Sequence, residues 1–125
     1  QGSLSTTLSW NGFLGLTQVA GPNGASSSTT FDAYARKSGT TSPHGAPTAY
    51  SYTYQPNTVT AVTTTVPGGA TRKRFARTTM DGFGRTIKEE TGSGDPAASH
   101  QVLSIVDTEY GPCAGSPLGK LKRVR

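Results

Sequence analysis

The chain has 125 residues, enough for one ordinary domain or a few stacked repeats. Only 32% are apolar, and 16 Gly and 8 Pro interrupt the rest, which excludes a thick Leu-rich core. A net charge of +5 with a pI near 9.7 suits a polyanion partner without specifying one, and the single cysteine, Cys113, excludes an intrachain disulfide.

No apolar run approaches the roughly 18–20 residues of a membrane helix, so no membrane span is expected. Composition alone also fits a disordered linker, but the aromatic residues recur at regular places and argue against one. Gln1-Gly2-Ser3 reads as an internal start, with any secretion signal expected upstream.

From there the chain repeats itself. Trp10-Asn11-Gly12-Phe13-Leu14-Gly15-Leu16 leads to Pro22-Asn23-Gly24, and Phe31-Asp32-Ala33-Tyr34-Ala35-Arg36-Lys37 leads to Pro43-His44-Gly45, at an offset of 21. Met80-Asp81-Gly82-Phe83-Gly84-Arg85-Thr86 leads to Gly92-Ser93-Gly94, at a further offset of 49. Each unit has a large apolar residue, then Asn or Asp, then an aromatic two positions on. Asp-x-x-Gly favours a type I turn, in which the carboxylate accepts backbone N–H groups and the Gly takes the positive φ that closes a hairpin with a bulge. Asp81 to Gly84 fits this best. The turns at Asn11 and Asp32 lack the Gly, so they should be strained or of another type.

The segments between turns have strand character. Thr48–Tyr54 places Tyr50, Tyr52 and Tyr54 on one face. Thr58–Val66 is β-branched almost throughout, and Val102–Val106 is a short apolar run. Turn signals fall at 22–24, 43–45, Pro56-Asn57, Pro67-Gly68-Gly69 and 92–94. In the tail, Tyr110 takes the aromatic place and Ser116-Pro117-Leu118-Gly119 reads as a type I turn, followed by a basic strand cut in mid-array. No segment has a helical period. The expected fold is therefore all-β: roughly eight to ten strands in consecutive antiparallel β-hairpins, forming a curved, open-ended sheet. The units run 8–30, 31–55, 56–79 (degenerate), 80–105 and 106–125 (truncated).

These features resemble the YD repeats of the RHS family, found also in bacterial toxin-complex subunits and animal teneurins. The resemblance rests on Phe31-Asp32-Ala33-Tyr34-Ala35-Arg36, Tyr50-Ser51-Tyr52 and Met80-Asp81-Gly82-Phe83-Gly84-Arg85, and covers most of residues 8–125. The family pattern is Tyr-Asp-x-x-Gly-Arg, a turn, and a Tyr-x-Tyr strand. Here Trp10, Phe31 and Met80 replace the first Tyr, and the first unit has no Arg. The resemblance implies a spiralling hollow shell, either enclosing a C-terminal toxin or serving as a scaffold at the bacterial cell surface or outside the cell. This chain would be wall, as part of a longer protein. Its partners would be neighbouring repeats, with self-association through open sheet edges.

Several side chains have a functional and a structural reading. Asp32 with Arg36 and Asp81 with Arg85 suggest an acid–base pair, but recurrence with the repeat favours a hairpin role, shared with Asn11, Gly84, Ser116 and Gly119. Arg72, Lys73, Arg74 and Arg77 form one basic cluster, and Lys120, Lys122, Arg123 and Arg125 a second. Both suit a polyanion or glycan, the alternative function being a carbohydrate- or polyanion-binding adhesion module. Strand alternation, however, separates Arg72 and Arg74 from Lys73 and Arg77. The Tyr50, Tyr52, Tyr54 stripe suits either sugar stacking or packing on a neighbouring hairpin, and packing is favoured. His44 and His100 lack a second ligand at metal spacing, Cys113 lacks a His partner, and Glu89 and Glu90 should face opposite sides. No catalytic residue, metal site or cofactor is expected.

Overall fold

A computed structural model describes residues 4–66, 69–113 and 116–125, with side chains described outside 112–120. Ten strands pair antiparallel in chain order: β1 (Thr7–Asn11), β2 (Gly15–Ala20), β3 (Ser26–Phe31), β4 (Lys37–Thr41), β5 (Pro47–Tyr54), β6 (Asn57–Thr65), β7 (Arg72–Met80), β8 (Thr86–Gly94), β9 (His100–Cys113) and β10 (Ser116–Val124). The protein is all-β, one open sheet of consecutive hairpins, as the sequence predicts. Among the described residues no helix is long and apolar enough to cross a membrane.

The repeat is visible as hairpin geometry. At three hairpins the register slips by one residue next to the turn: Ser9 pairs with Gln18 but Trp10 with Leu16, Thr30 with Gly39 but Phe31 with Lys37, and Thr79 with Lys88 but Met80 with Thr86. The extra residues are Thr17, Ser38 and Ile87, separated by the same 21 and 49 positions as the sequence motif. In two of these turns, Asp32 N–H donates to Arg36 C=O (2.8 Å) and Ala35 N–H to Asp32 C=O (3.1 Å). Asp81 N–H donates to Arg85 C=O (2.9 Å) and Gly84 N–H to Asp81 C=O (3.0 Å). Gly84 has φ +77°, and Ala35, its counterpart, is forced to +62°. The strain expected from the missing Gly is therefore present at Ala35. At Asn11 the positive φ moves one position on, to Gly15 (+89°), giving a different turn. At the other sheet end, Gly24 N–H donates to Gly21 C=O and Gly45 N–H to Ser42 C=O, both at 3.0 Å. These turns contain Pro22 and Pro43 as expected.

Two turn assignments need correction. Gly92-Ser93-Gly94 lies inside β8, and the reversal is at Asp95–Ser99, where Asp95 N–H donates to Ser99 C=O and Ala98 N–H to Asp95 C=O, both at 2.9 Å. The glycine at 92 serves a close approach: a Cβ there would meet the Phe75 ring carbons and the Gln101 carbonyl. Ser116-Pro117-Leu118-Gly119 falls inside β10, where Ser116 already pairs with Cys113. The register then jumps, so that Lys120 pairs with Gly111. Of the turn expected at Pro67-Gly68-Gly69, Pro67 and Gly68 lie outside the described residues.

One face of the sheet is the better covered, and its buried residues lie on β6 to β8. Three side-chain rows cross β5 to β9 on it: Ala49, Val62, Phe75, Gly92, Val102; then Ser51, Thr60, Arg77, Glu90, Ile105; then Thr53, Thr58, Thr79, Lys88, Asp107. Phe75 is 3% exposed and is the one buried apolar residue among those described. Its ring meets His100 edge-on, with centroids 5.3 Å apart. Its buried companions are Thr58, Thr60 and Glu90, so the interior is largely polar, as the composition implies.

Ala35→Gly is expected to stabilise the protein by up to about 1 kcal/mol, and Gly84→Val to destabilise it by at least about 1 kcal/mol. Urea denaturation of the two variants checks this, and shifts of the same sign would mean that these turns are not equivalent.

Candidate functional site

Two hairpin turns, at Asp32 and Asp81, hold the same arrangement of charges. In the Asp32 turn, Oδ1 accepts the backbone N–H groups of Tyr34 and Arg36, both at 2.9 Å. Oδ2 accepts Arg36 Nε (2.8 Å) and Nη2 (2.7 Å). Asp81 repeats this with Phe83 N–H (2.9 Å), Arg85 N–H (3.0 Å), Arg85 Nε (2.7 Å) and Arg85 Nη2 (2.6 Å). Asn11 keeps only the backbone half, accepting Phe13 and Leu14 N–H at 3.0 Å.

Each fixed guanidinium is then stacked with aromatic rings. Arg36 lies 5.0 Å from the Tyr34 ring centroid, 4.4 Å from Tyr52 and 5.5 Å from Tyr54, and its Nη1 donates to the Tyr54 hydroxyl at 2.5 Å. Arg85 lies 5.2 Å from Phe83 and 4.3 Å from Tyr110. Tyr110 is thus a strand aromatic of β9, the counterpart of Tyr52. Tyr52 also donates to the Lys37 carbonyl (2.8 Å), and the Lys37 ammonium lies 5.6 Å from the Tyr50 ring. The tyrosine stripe therefore packs against the cations of the preceding hairpin.

The basic cluster of β7 divides between the two faces, as alternation predicts. Lys73 pairs with Asp95 (2.7 Å) and Arg77 Nε with Glu90 (2.8 Å) on the covered face. Arg72 and Arg74 point to the other face and are exposed. In the tail, Lys122 pairs with Glu109 (2.9 Å), Arg123 and Arg125 are exposed, and the side chains of Lys120, Ser116 and Gly119 lie outside those described. His44 is exposed at its turn. Glu89 and Glu90 face opposite sides, Glu89 exposed and Glu90 only 7% exposed.

Sequence reasoning missed a groove of about 620 Å³ on the covered face. It is lined by Ser51, Thr53, Thr58, Thr60 and Thr79, by the charged Arg77, Lys88 and Glu90, by Gln55, Pro56 and Val62, and by the Asp95–Ala97 turn. Thr53 and Thr58 share a short hydroxyl–hydroxyl hydrogen bond. Glu90 faces two cations, Arg77 and, at 3.3 Å, Lys88. The Asp95 turn that forms the rim has its own signature, Asp-Pro-x-x-Ser, with Pro in its preferred second place.

Five carboxyl groups hold their protons less tightly than usual. The Arg36 hydrogen bond lowers Asp32, that of Arg77 lowers Glu90 against the effect of burial, that of Lys73 lowers Asp95, and that of Lys122 lowers Glu109. At Asp81 partial burial pushes upward, and Arg85 with two backbone donors outweighs it. Comparison with known proteins finds no matching family model and no match among curated sequences.

Because each of these groups has a lower pKa folded than unfolded, it stabilises fully above the ordinary values of 3.8 for Asp and 4.5 for Glu. That contribution is lost as pH falls through the folded values below them. Urea midpoints are expected to hold down to about pH 5 and then decline. A midpoint that is flat or rising below about pH 4 would contradict the pairing described above.

Proposed function

We propose that the chain is a structural segment of a larger secreted or cell-surface repeat protein of RHS type, part of a β-shell wall that encloses a C-terminal toxin. The observation that carries this reading is the recurrence of the Asp–Arg–aromatic arrangement at Arg36 and Arg85, each tying a hairpin to a later strand. It is supported by the thin interior. With one buried apolar residue among those described, such units gain their burial by stacking on neighbours. In this reading the open edges β1 and β10 meet further repeats or a second copy, and the chain has no catalytic residue.

The test is electron microscopy of the longest natural chain that carries residues 1–125. A continuous spiral sheet running through both β1 and β10 is expected. An isolated sheet with both edges in solvent would end the shell reading.

A second reading, an adhesion module for a glycan or other polyanion, is favoured by Arg72, Arg74 and Arg123. Among the described residues these exposed side chains have no ion pair. It expects retention on heparin that falls steeply with salt, and no saturable retention below about 0.3 M salt would remove it.

A further inference from the structure

We propose that Asn11 is a modification site, at which the chain turns one of its own amides into a carboxylate. Asn11 loses ammonia through a succinimide formed with the nitrogen of Gly12. The first hairpin then carries the turn carboxylate that Asp32 and Asp81 give to theirs. Neither the shell reading nor the glycan reading is needed for it.

The reaction needs a free nucleophile and an activated carbonyl. The Gly12 amide nitrogen attacks Asn11 Cγ and forms a new N–Cγ bond. The bond from Cγ to the side-chain nitrogen breaks, and that nitrogen takes the Gly12 proton and leaves as ammonia. Water then opens the succinimide. Cleavage of the N–Cγ bond yields aspartate at position 11. Cleavage of the bond to the Asn11 main-chain carbonyl carbon yields isoaspartate, with an extra carbon in the main chain. Water is the only co-reactant, and nothing is oxidised or reduced.

Asn11 and Asn23 both precede glycine, so local sequence makes them equal, while Asn57 precedes the β-branched Thr58. The fold separates the first two. Asn11 Oδ1 accepts the N–H groups of Phe13 and Leu14, both at 3.0 Å. It therefore already sits between two backbone donors that stabilise the oxyanion formed when Cγ is attacked. Asn23 Oδ1 accepts Ala25 N–H alone, at 3.1 Å. The nucleophiles differ as well. Gly24 N–H is committed to the Gly21 carbonyl at 3.0 Å, whereas Gly12 N–H has no hydrogen-bond acceptor among the described residues. Gly12 is exposed, and even a Cβ there would meet nothing within 4 Å, so nothing crowds the attack. The product changes the local electrostatics. Residues 1–31 carry no charged side chain, so the new carboxylate is the first side-chain charge on β1 to β3. Gly15 stands where Arg36 and Arg85 stand in the other turns, which leaves that charge without an arginine.

The test is peptide mapping by mass spectrometry, with the folded chain held in mildly alkaline buffer and the same chain held in concentrated urea. In the folded chain Asn11 is expected to convert about tenfold or more faster than Asn23, to a mixture of aspartate and isoaspartate. Asn57 should be the slowest of the three. In urea the two Asn-Gly pairs should converge, because the donors on Asn11 Oδ1 and the turn bond of Gly24 are both gone. Gly12→Ala should slow conversion at Asn11 by about tenfold while a cooperative unfolding transition remains. Absence of conversion at Asn11, conversion of Asn23 as fast as Asn11 in the folded chain, the same preference in urea, or an unslowed Gly12→Ala variant overturns the proposal.

Discussion

Each turn carboxylate, Asp32 and Asp81, satisfies four donors at once: two backbone N–H groups on one oxygen and two guanidinium nitrogens on the other. The backbone half closes the hairpin, and the arginine half sets a flat cation against the next strands. Because the guanidinium is planar and its donors are fixed in a fork, its orientation is decided once the carboxylate is decided. The positions of Tyr52, Tyr54 and Tyr110 follow from that orientation. A local turn preference is thereby converted into contact between residues some 16 to 25 positions apart.

A single sheet in which Phe75 is the one buried apolar residue among those described must get its cohesion elsewhere. Here the backbone ladder, the stacked arginines and a few charge pairs across strands take that place. Arg77 with Glu90, and Lys73 with Asp95, tie β7 to β8 and to the turn beyond it. The polar face that results is also what gives the groove its hydroxyl lining, so the weakness of the apolar core and the chemistry of the candidate site have one origin.

Much of this was legible in local sequence. Period-2 alternation in Thr48–Tyr54, β-branching in Thr58–Thr65, Pro-x-Gly turns and the Asp turns all depend on residues near one another, and each is found where it was expected. What was not legible depends on partners distant in the chain. Gly92 looked like a turn because nothing nearby reveals that the Phe75 ring covers it. The partners of Lys73 and Arg77 lie 22 and 13 residues away. Ser116–Gly119 has good turn chemistry, but it lies within β10, whose partner strand is β9. The groove needs four strands and a turn, so no stretch of sequence contains it. The family itself remains a resemblance carried by motifs.

The one-residue slips at Thr17, Ser38 and Ile87 have a consequence for how such a chain tolerates change. Side chains alternate between faces, so each slip works like a parity bit: it resets which face every later residue in its strand addresses. A single-residue deletion past the slip, at Glu89, would act as a frameshift in three dimensions, turning Glu90 to the face of Thr78 without altering one of its atoms. Such a chain can vary many of its exposed side chains, while its length between turns is held to the residue.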